Sequence, residues 1–464
     1  MDLASTGSID PAVLGQPANA VAPTGKRRVA VVGAGAAGLC AARHLLARGV
    51  EVVVFELGTC IGGLWVFDND NGIAPAYQSL HLNSEAKVTA YRDFPFPEDG
   101  PLYPDHRQVR GYLESYAQKF GVKPHIRFNS KVTDIAPLAG DRWRVTLADG
   151  GGGDFDAVVV GSGHQGSPSH PGWRKDFTGQ YLHSHTYRIP EPFRGKRVLV
   201  VGMGNSAVDI ASDICVVTES TTIAARSPVL VMPRMLFGVP TSRVLGKLEK
   251  DWMPWPVRRT IREILTQIVH GKMEQWGFTT PKSRTHPTSH PCLMSHFVWD
   301  RIKAKPGIES VSGQEVTFVD GTRQTFDTVI AGTGYNVDLP FLAPELRPLE
   351  GHRLHLFLRV IHPSKRNLFF MGLFNVAGGG NIRMMDDQAE WITDLVTGEM
   401  APPDEATMRT AMEEEQAFLR KHYPAAPRYA LELDPVFYRR QLTREREQAR
   451  TRPRPVAATA AAQG

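Results

Sequence analysis

The chain has 464 residues, 42% hydrophobic and 22% charged, which is the balance of a soluble globular protein long enough for two domains. A net charge of +5 is mild at this length, and no basic run is interleaved with aromatics, so nucleic acid is not an expected partner. The four cysteines, Cys40, Cys60, Cys215 and Cys292, form no C-x-x-C pair and no His/Cys cluster, so neither a disulfide framework nor a metal site is expected.

Residues 1–24 lack a basic region followed by an apolar run, and no apolar stretch is long enough to span a bilayer. A cytoplasmic location is the expectation. Residues 1–26, rich in Ala, Pro, Ser and Gly, read as a mobile tail. A β-rich run over 29–32 then leads into Gly33-Ala34-Gly35-Ala36-Ala37-Gly38. Leu39, Ala42, Leu45 and Leu46 recur at helical spacing, Gly49 closes the helix, and a strand over 51–55 ends at Glu56. Strand, glycine turn, helix, strand and terminal acid make a dinucleotide-binding unit. Its glycines allow a tight turn, approach of the backbone to a pyrophosphate and close helix packing, while the helix N-terminus offers free N–H groups. The Glu56 carboxylate suits ribose hydroxyls and repels a 2′-phosphate, so the unit suits FAD or NAD.

Gly62-Gly63-Leu64-Trp65 and the run from Tyr77 through Leu82 and Asn83 follow. The spacing of Val109, Tyr112, Leu113, Tyr116 and Phe120 predicts a helix over 106–120. Strands over 126–128, 143–147 and 157–160 read as a small meander returning to the main sheet, two of them joined by the glycine run 150–153. A second unit starts with a strand over 197–201 and Gly202-Met203-Gly204-Asn205-Ser206-Ala207. Val208, Ile210, Ala211 and Ile214 mark its helix, and its strand over 221–225 ends in Arg226-Ser227 rather than an acid. Arginine and a hydroxyl at that position favour a 2′-phosphate, hence NADP. Residues 233–296 lose the α/β rhythm and read as a helical insertion. It either walls the substrate entrance or covers the NADP domain. His286, His290 and His296 lack carboxylate or cysteine at ligand spacing, so no metal is assigned to them. Strands are expected over 308–318, 326–331 and 367–372, a helix opening at Asp387-Gln388, and a frayed tail from Arg444.

Between the two glycine turns lies F-T-G-Q-Y-L-H-S-H-T-Y, residues 177–187, an ordinary loop by composition. Phe177, Gly179, His183, Ser184 and Tyr187 match F-x-G-x-x-x-H-S-x-x-Y, which resembles the fingerprint of flavin-containing monooxygenases. Three other segments resemble that family in the same order: G-G-x-W at Gly62–Trp65, the active-site asparagine segment at Asn83, and A-T-G-Y at Thr333-Gly334-Tyr335. In the last, Gly332 replaces the usual alanine. Glu390 reverses the charge of the family's Q-A-R at Gln388-Ala389-Glu390.

The resemblance implies an α/β protein of two Rossmann-like domains, the NADP domain inserted into the FAD domain. The FAD domain would comprise 27–171 and 327–443, the NADP domain 172–326 with its insertion 233–296, and 444–464 a flexible tail. It implies FAD on Gly33 to Gly38, Glu56, Gly63, Leu64, Trp65 and Leu82, with Thr333, Gly334 and Gln388 also at the cofactor. NADPH would lie on Gly202, Gly204, Asn205, Ser206, Ala207 and Arg226. It further implies an NADPH- and O₂-dependent monooxygenase that oxygenates an amine or sulfide through a flavin hydroperoxide, with Asn83 hydrogen-bonding and shielding the reacting centre. The alternative is Baeyer–Villiger oxygenation of ketones, whose enzymes end the fingerprint in Trp followed by Pro or Asp where this chain has Tyr187-Arg188. His183 is assigned a structural role in the linker. The partners implied are a small molecule and O₂, with a homodimer unsurprising.

Overall fold

The computed structural model describes residues 26–250, 252–351, 353–376, 380–424 and 427–452. The expected N-terminal tail lies outside the described residues apart from Lys26. The strand Arg28–Val32 pairs in parallel with Glu51–Phe55 on one side and Ala157–Val160 on the other. Lys365–Phe370 and Ile126–Arg127 extend this sheet in parallel, and a short antiparallel edge strand, Ile361–His362, brings it to six.

Alternation along these strands feeds two cores. Val29, Val31, Val52, Val54 and Val159 face the helices Ala36–Ala47, His106–Lys119 and Asn381–Val396, meeting Leu39, Tyr116 and Trp391. Ala30, Val32, Val53, Phe55, Val158 and Val160 face a three-stranded meander through Trp143, Val145 and Phe155. With both faces covered, the strands are nearly continuously apolar, as a buried parallel sheet requires.

The second sheet repeats the plan. Its order is Ile302–Pro306, Ser220–Ala225, Arg197–Val201, Thr328–Ala331 and Gln180–His183, every pair parallel. Val198, Val200 and Ile223 face the helix Asn205–Ile214, while Leu199, Ala224 and Val329 face another meander carrying Val316 and Phe318. Each glycine turn therefore sits at the carboxyl end of a central strand, where α/β sheets bind ligands. The second sheet is drawn from residues 180–331, inside the sequence span of the first.

Several expectations change. The meander consists of Val132–Leu138, Arg142–Leu147 and Gly152–Phe155, Ile126–Arg127 belongs instead to the main sheet, and Ala157–Val160 is the return to that sheet. The fingerprint is not a loop throughout, because Gln180–His183 is the edge strand of the second sheet. The helix carrying Gln388 begins at Asn381, six positions before the expected start. Of the expected tail 444–464, residues 444–451 are the end of a helix, Pro435–Thr451, and residues 453–464 lie outside the described residues. Asp434 caps the helix by accepting from the N–H groups of Val436 and Phe437, and Tyr438, Leu442, Glu445 and Ala449 form its buried stripe. Arg446 anchors that helix to Glu390 and Asp394 at 3.0 and 2.8 Å, so the reversed charge at 390 has its own cations.

Candidate active site

In the first glycine turn, Gly33 has φ +99° and donates its N–H to the Phe55 carbonyl at 2.8 Å. A Cβ on Gly33 would lie 2.9 Å from the Gly161 carbonyl oxygen, and one on Gly38 would lie 1.8 Å from the Gly33 oxygen. Both glycines are therefore steric requirements. Gly35 begins the helix Ala36–Ala47 without any side-chain cap, which leaves its first N–H groups for an anionic ligand. Glu56 is buried and accepts from the N–H groups of Ala34 (2.7 Å) and Gly58 (2.8 Å). Each carboxylate oxygen retains a lone pair for a ribose hydroxyl. The turn at Gly62-Gly63 closes on the same site: Gly62 donates to the Ala34 carbonyl, and a Cβ on Gly63 would approach the Gly35 Cα to 3.1 Å. Leu64 is exposed and Trp65 half-buried beside it. These features fit a dinucleotide such as FAD.

The second turn repeats this geometry. Gly202 has φ +115° and donates to the Ala224 carbonyl at 2.9 Å, and Gly204 starts the helix Asn205–Ile214 with no side-chain cap. Arg226 stands exposed at the end of the adjacent strand, with no acidic partner among the described residues. An uncapped helix start and an unpaired guanidinium suit a 2′-phosphorylated dinucleotide.

The segment 77–83 is tied to the second unit. Tyr77 donates to Asp209 at 2.7 Å, Ser79 and Tyr187 both donate to Asp213, and Gln78 N–H donates to the Arg188 carbonyl at 2.9 Å. The fingerprint's Tyr187 is thus buried against Tyr77, with ring centroids 5.8 Å apart. Leu82 is buried, and Asn83 beside it is exposed. Arg234 of the insertion donates to the Asn83 Oδ1 at 3.1 Å.

The insertion touches both halves. Thr288 donates to the Met203 carbonyl and Ser289 N–H donates to Asn205 Oδ1 at 3.3 Å, both in the second glycine turn. On the other side, Arg284 pairs with Asp434 and His286 with Glu432.

Residues 26–448 match a family described as Flavin-binding monooxygenase-like. The chain belongs to that family. Among its relatives, Flavin-containing monooxygenase 5 from Oryctolagus cuniculus is 31% identical over 431 residues, covering 88% of this chain and 80% of its own. Dimethylaniline monooxygenase [N-oxide-forming] 4 from Mus musculus is 31% identical over 421 residues, covering 85% and 74%. Among solved structures, S-allyl-L-cysteine S-oxygenase from Allium sativum superposes with a TM-score of 0.68 at 25% identity, over 90% of this chain and 88% of its own. This flavin monooxygenase is accordingly an enzyme with FAD and NADPH as cofactors and an α/β, Rossmann-type fold.

The structure gathers the expected residues unevenly. Gly33 to Gly38, Glu56, Gly63 and Trp65 form one cradle, and Gly202 to Ala207 and Arg226 another. Thr333 and Gly334 serve the crossing between the sheets: the Thr333 hydroxyl donates to the Ser169 carbonyl, and Ser169 N–H donates to the Gly334 carbonyl at 2.9 Å. Gln388 is fully buried, accepts from Gly372 N–H at 3.1 Å and donates to the Tyr438 hydroxyl at 3.0 Å, which uses one of its two amide hydrogens and one of its two carbonyl lone pairs.

His183 ends the edge strand Gln180–His183 rather than lying in a linker. Its Nδ1 accepts the His185 N–H at 3.1 Å, and burial, reinforced by His170, pushes its pKa down to about 4, so the ring is neutral. Arg234, Asp209 and Thr288 were not legible as site residues, because their significance depends on contacts across 80 or more positions.

Cys40, His44 and Asp386 also converge within 4.8 Å. The His44 Nε2 lies 2.7 Å from Asp386, the Arg43 guanidinium lies 3.1 Å from the same nitrogen, and burial pushes the Cys40 thiol far up. That trio fastens two helices and is chemically poor as a metal site.

Proposed function

We propose that the enzyme transfers one atom of O₂ to the nitrogen of an amine or the sulfur of a sulfide in a small molecule. The observation that carries this reading is the Arg234–Asn83 contact: Asn83 is exposed, its Oδ1 accepts from Arg234, and its segment is tied to the second dinucleotide unit through Tyr77 and Gln78. The nitrogen- and sulfur-oxygenating character of the relatives named above supports it.

In this reading Gly33 to Gly38 and Glu56 hold the pyrophosphate and ribose of FAD, with Gly63, Leu64, Trp65 and Leu82 alongside. Gly202, Gly204, Asn205, Ser206, Ala207 and Arg226 hold NADPH. Bound flavin, reduced by NADPH, supplies the oxygen-activating chemistry. The protein's share is placement and dryness. Arg234 fixes the Asn83 amide so that its N–H₂ faces the reaction space as a hydrogen-bond donor. Thr288 and Ser289 brace the pyrophosphate-binding turn of the NADP unit, and Tyr77 and Tyr187 hold the asparagine segment to that unit. No side-chain acid–base pair is required for oxygen transfer itself.

Among the described residues no helix is long and apolar enough to cross a membrane. The four cysteines are free, which supports a reducing, cytoplasmic setting as part of this proposal. A homodimer is compatible with it.

The test is product analysis with purified holoenzyme, NADPH and air, offering thioanisole, N,N-dimethylaniline and cyclohexanone in turn. S-oxide or N-oxide is the expected product. A lactone from the ketone alone would replace the proposal with Baeyer–Villiger chemistry.

A further inference from the structure

Beside Asn83 the surface opens into a cleft of about 400 Å³ lined by Glu85, Lys87, Val88, Arg243, Arg383 and Arg439. Four of the six carry positive charge. The only acid among them, Glu85, is buried and already accepts from Arg243 at 2.9 and 3.0 Å. Arg439 leans on Asp387 at 3.5 Å. Lys87 and Arg383 have no acidic partner among the described residues. Like charges gathered with no counter-charge repel one another, and an anion in their midst relieves that repulsion.

The cleft lies close to Asn83 along the chain. Glu85 follows Asn83 by two residues, a span of at most about 7 Å along the chain. Tyr103 packs on the arginine that holds Asn83: its hydroxyl donates to the Arg234 carbonyl at 3.0 Å, and the Arg234 guanidinium lies 5.3 Å over its ring. The insertion therefore supplies Arg234 to Asn83 and Arg243 to the cleft.

We propose that this cleft is a carboxylate-binding subsite, and that the enzyme's own substrates are sulfides or amines bearing an anionic tail. The inference rests on the oxygenation reading above and names the substrate class for it. Lys87 and Arg383 provide the unpaired charge, Arg439 assists, and Arg243, neutralised by Glu85, shapes the wall. Val88 offers an apolar surface to the chain linking carboxylate and heteroatom.

The test compares 4-(methylthio)butanoate with 4-(methylthio)butanamide, nearly isosteric and differing in charge. The wild-type holoenzyme should favour the carboxylate in kcat/KM by about tenfold or more, and the preference should shrink with added salt. In Lys87→Gln/Arg383→Gln the ratio should fall toward unity through a rise in KM for the carboxylate. Calorimetric titration of the non-turning-over holoenzyme with 4-(methylthio)butanoate should show the same loss of affinity. Equal use of both substrates by the wild type, needing no variant, would overturn the subsite. So would a preference that survives in the double variant.

Titration with NADP⁺ separates the two possible sources of the anion. If the double variant loses NADP⁺ affinity and not carboxylate affinity, the cleft reads cofactor phosphate and the substrate proposal fails. If neither sulfide is oxygenated while thioanisole is, only the subsite falls. If no sulfide or amine is oxygenated, the functional reading falls as well.

Discussion

A Cβ placed on Gly332 would lie 2.7 Å from the Cβ of Ala207. The second glycine turn carries alanine where the first carries Gly38, and the strand end facing it gives up its own side chain to make room. In the first unit a Cβ on Gly161 would lie 3.1 Å from the Gly38 nitrogen, the same close approach. Gly332 is thus a packing requirement and not a source of flexibility. Gly332→Ala should destabilise the protein by about 1–3 kcal/mol through overpacking. Adding Ala207→Gly should recover part of that loss, although the Ala207 Cα and the Val201 carbonyl remain near at 3.2 Å. Thermal unfolding of the single and double variants measures both effects, and no recovery in the double variant would contradict the account.

Asp209 is buried one turn into the second helix, and burial raises its pKa to about 6 despite the hydrogen bond from Tyr77. A carboxyl whose folded pKa is raised binds its proton more tightly in the folded state. Its contribution is fully present below its ordinary value, near 4, and is lost as pH rises through about 6. Asp209→Asn keeps an acceptor for Tyr77 and removes the titration. Relative to wild type, its stability should therefore rise between pH 4 and 6 by about 1–3 kcal/mol and stay level above pH 7. Denaturant unfolding across that range checks the sign.

Arg226 stands exposed where Glu56 stands in the first unit. Arg226→Gln should raise KM for NADPH roughly 10–100-fold and leave KM for NADH nearly unchanged. Steady-state kinetics with the two coenzymes decides it. An equal effect on both would place the 2′-phosphate elsewhere.

The Arg234–Asn83 contact predicts a loss of coupling rather than a loss of fold. Asn83→Ala and Arg234→Gln should each release hydrogen peroxide in place of product, lowering product formed per NADPH by about tenfold. Melting temperature should move little, because Asn83 is exposed. Unchanged product-to-NADPH ratios would remove Asn83 from the site.

Both glycine turns, their helices and the acid-versus-arginine contrast at positions 56 and 226 were legible in the sequence, since each unit is local and its spacing is set by close packing. The family resemblance was legible at Phe177, Gly179, His183, Ser184 and Tyr187, but not its physical basis. That run pairs with Thr328–Ala331, about 150 residues downstream, so nothing local marks it as an edge strand. The helix Pro435–Thr451 was missed because its exposed face is crowded with arginine and glutamate. The stripe at Tyr438, Leu442, Glu445 and Ala449 has helical spacing, but half of it is polar or small. Arg234 and the charged cleft lay hidden for a third reason: the insertion has no motif, and its meaning arises only where it meets Asn83 and Glu85.

The most direct test of the central claim is turnover under ¹⁸O₂ with NADPH and a sulfide substrate, following coenzyme oxidation and product mass together. The account predicts one labelled oxygen in each sulfoxide and one NADPH oxidised per product. Unlabelled product, or NADPH oxidation matched wholly by hydrogen peroxide whichever amine or sulfide is supplied, would contradict it.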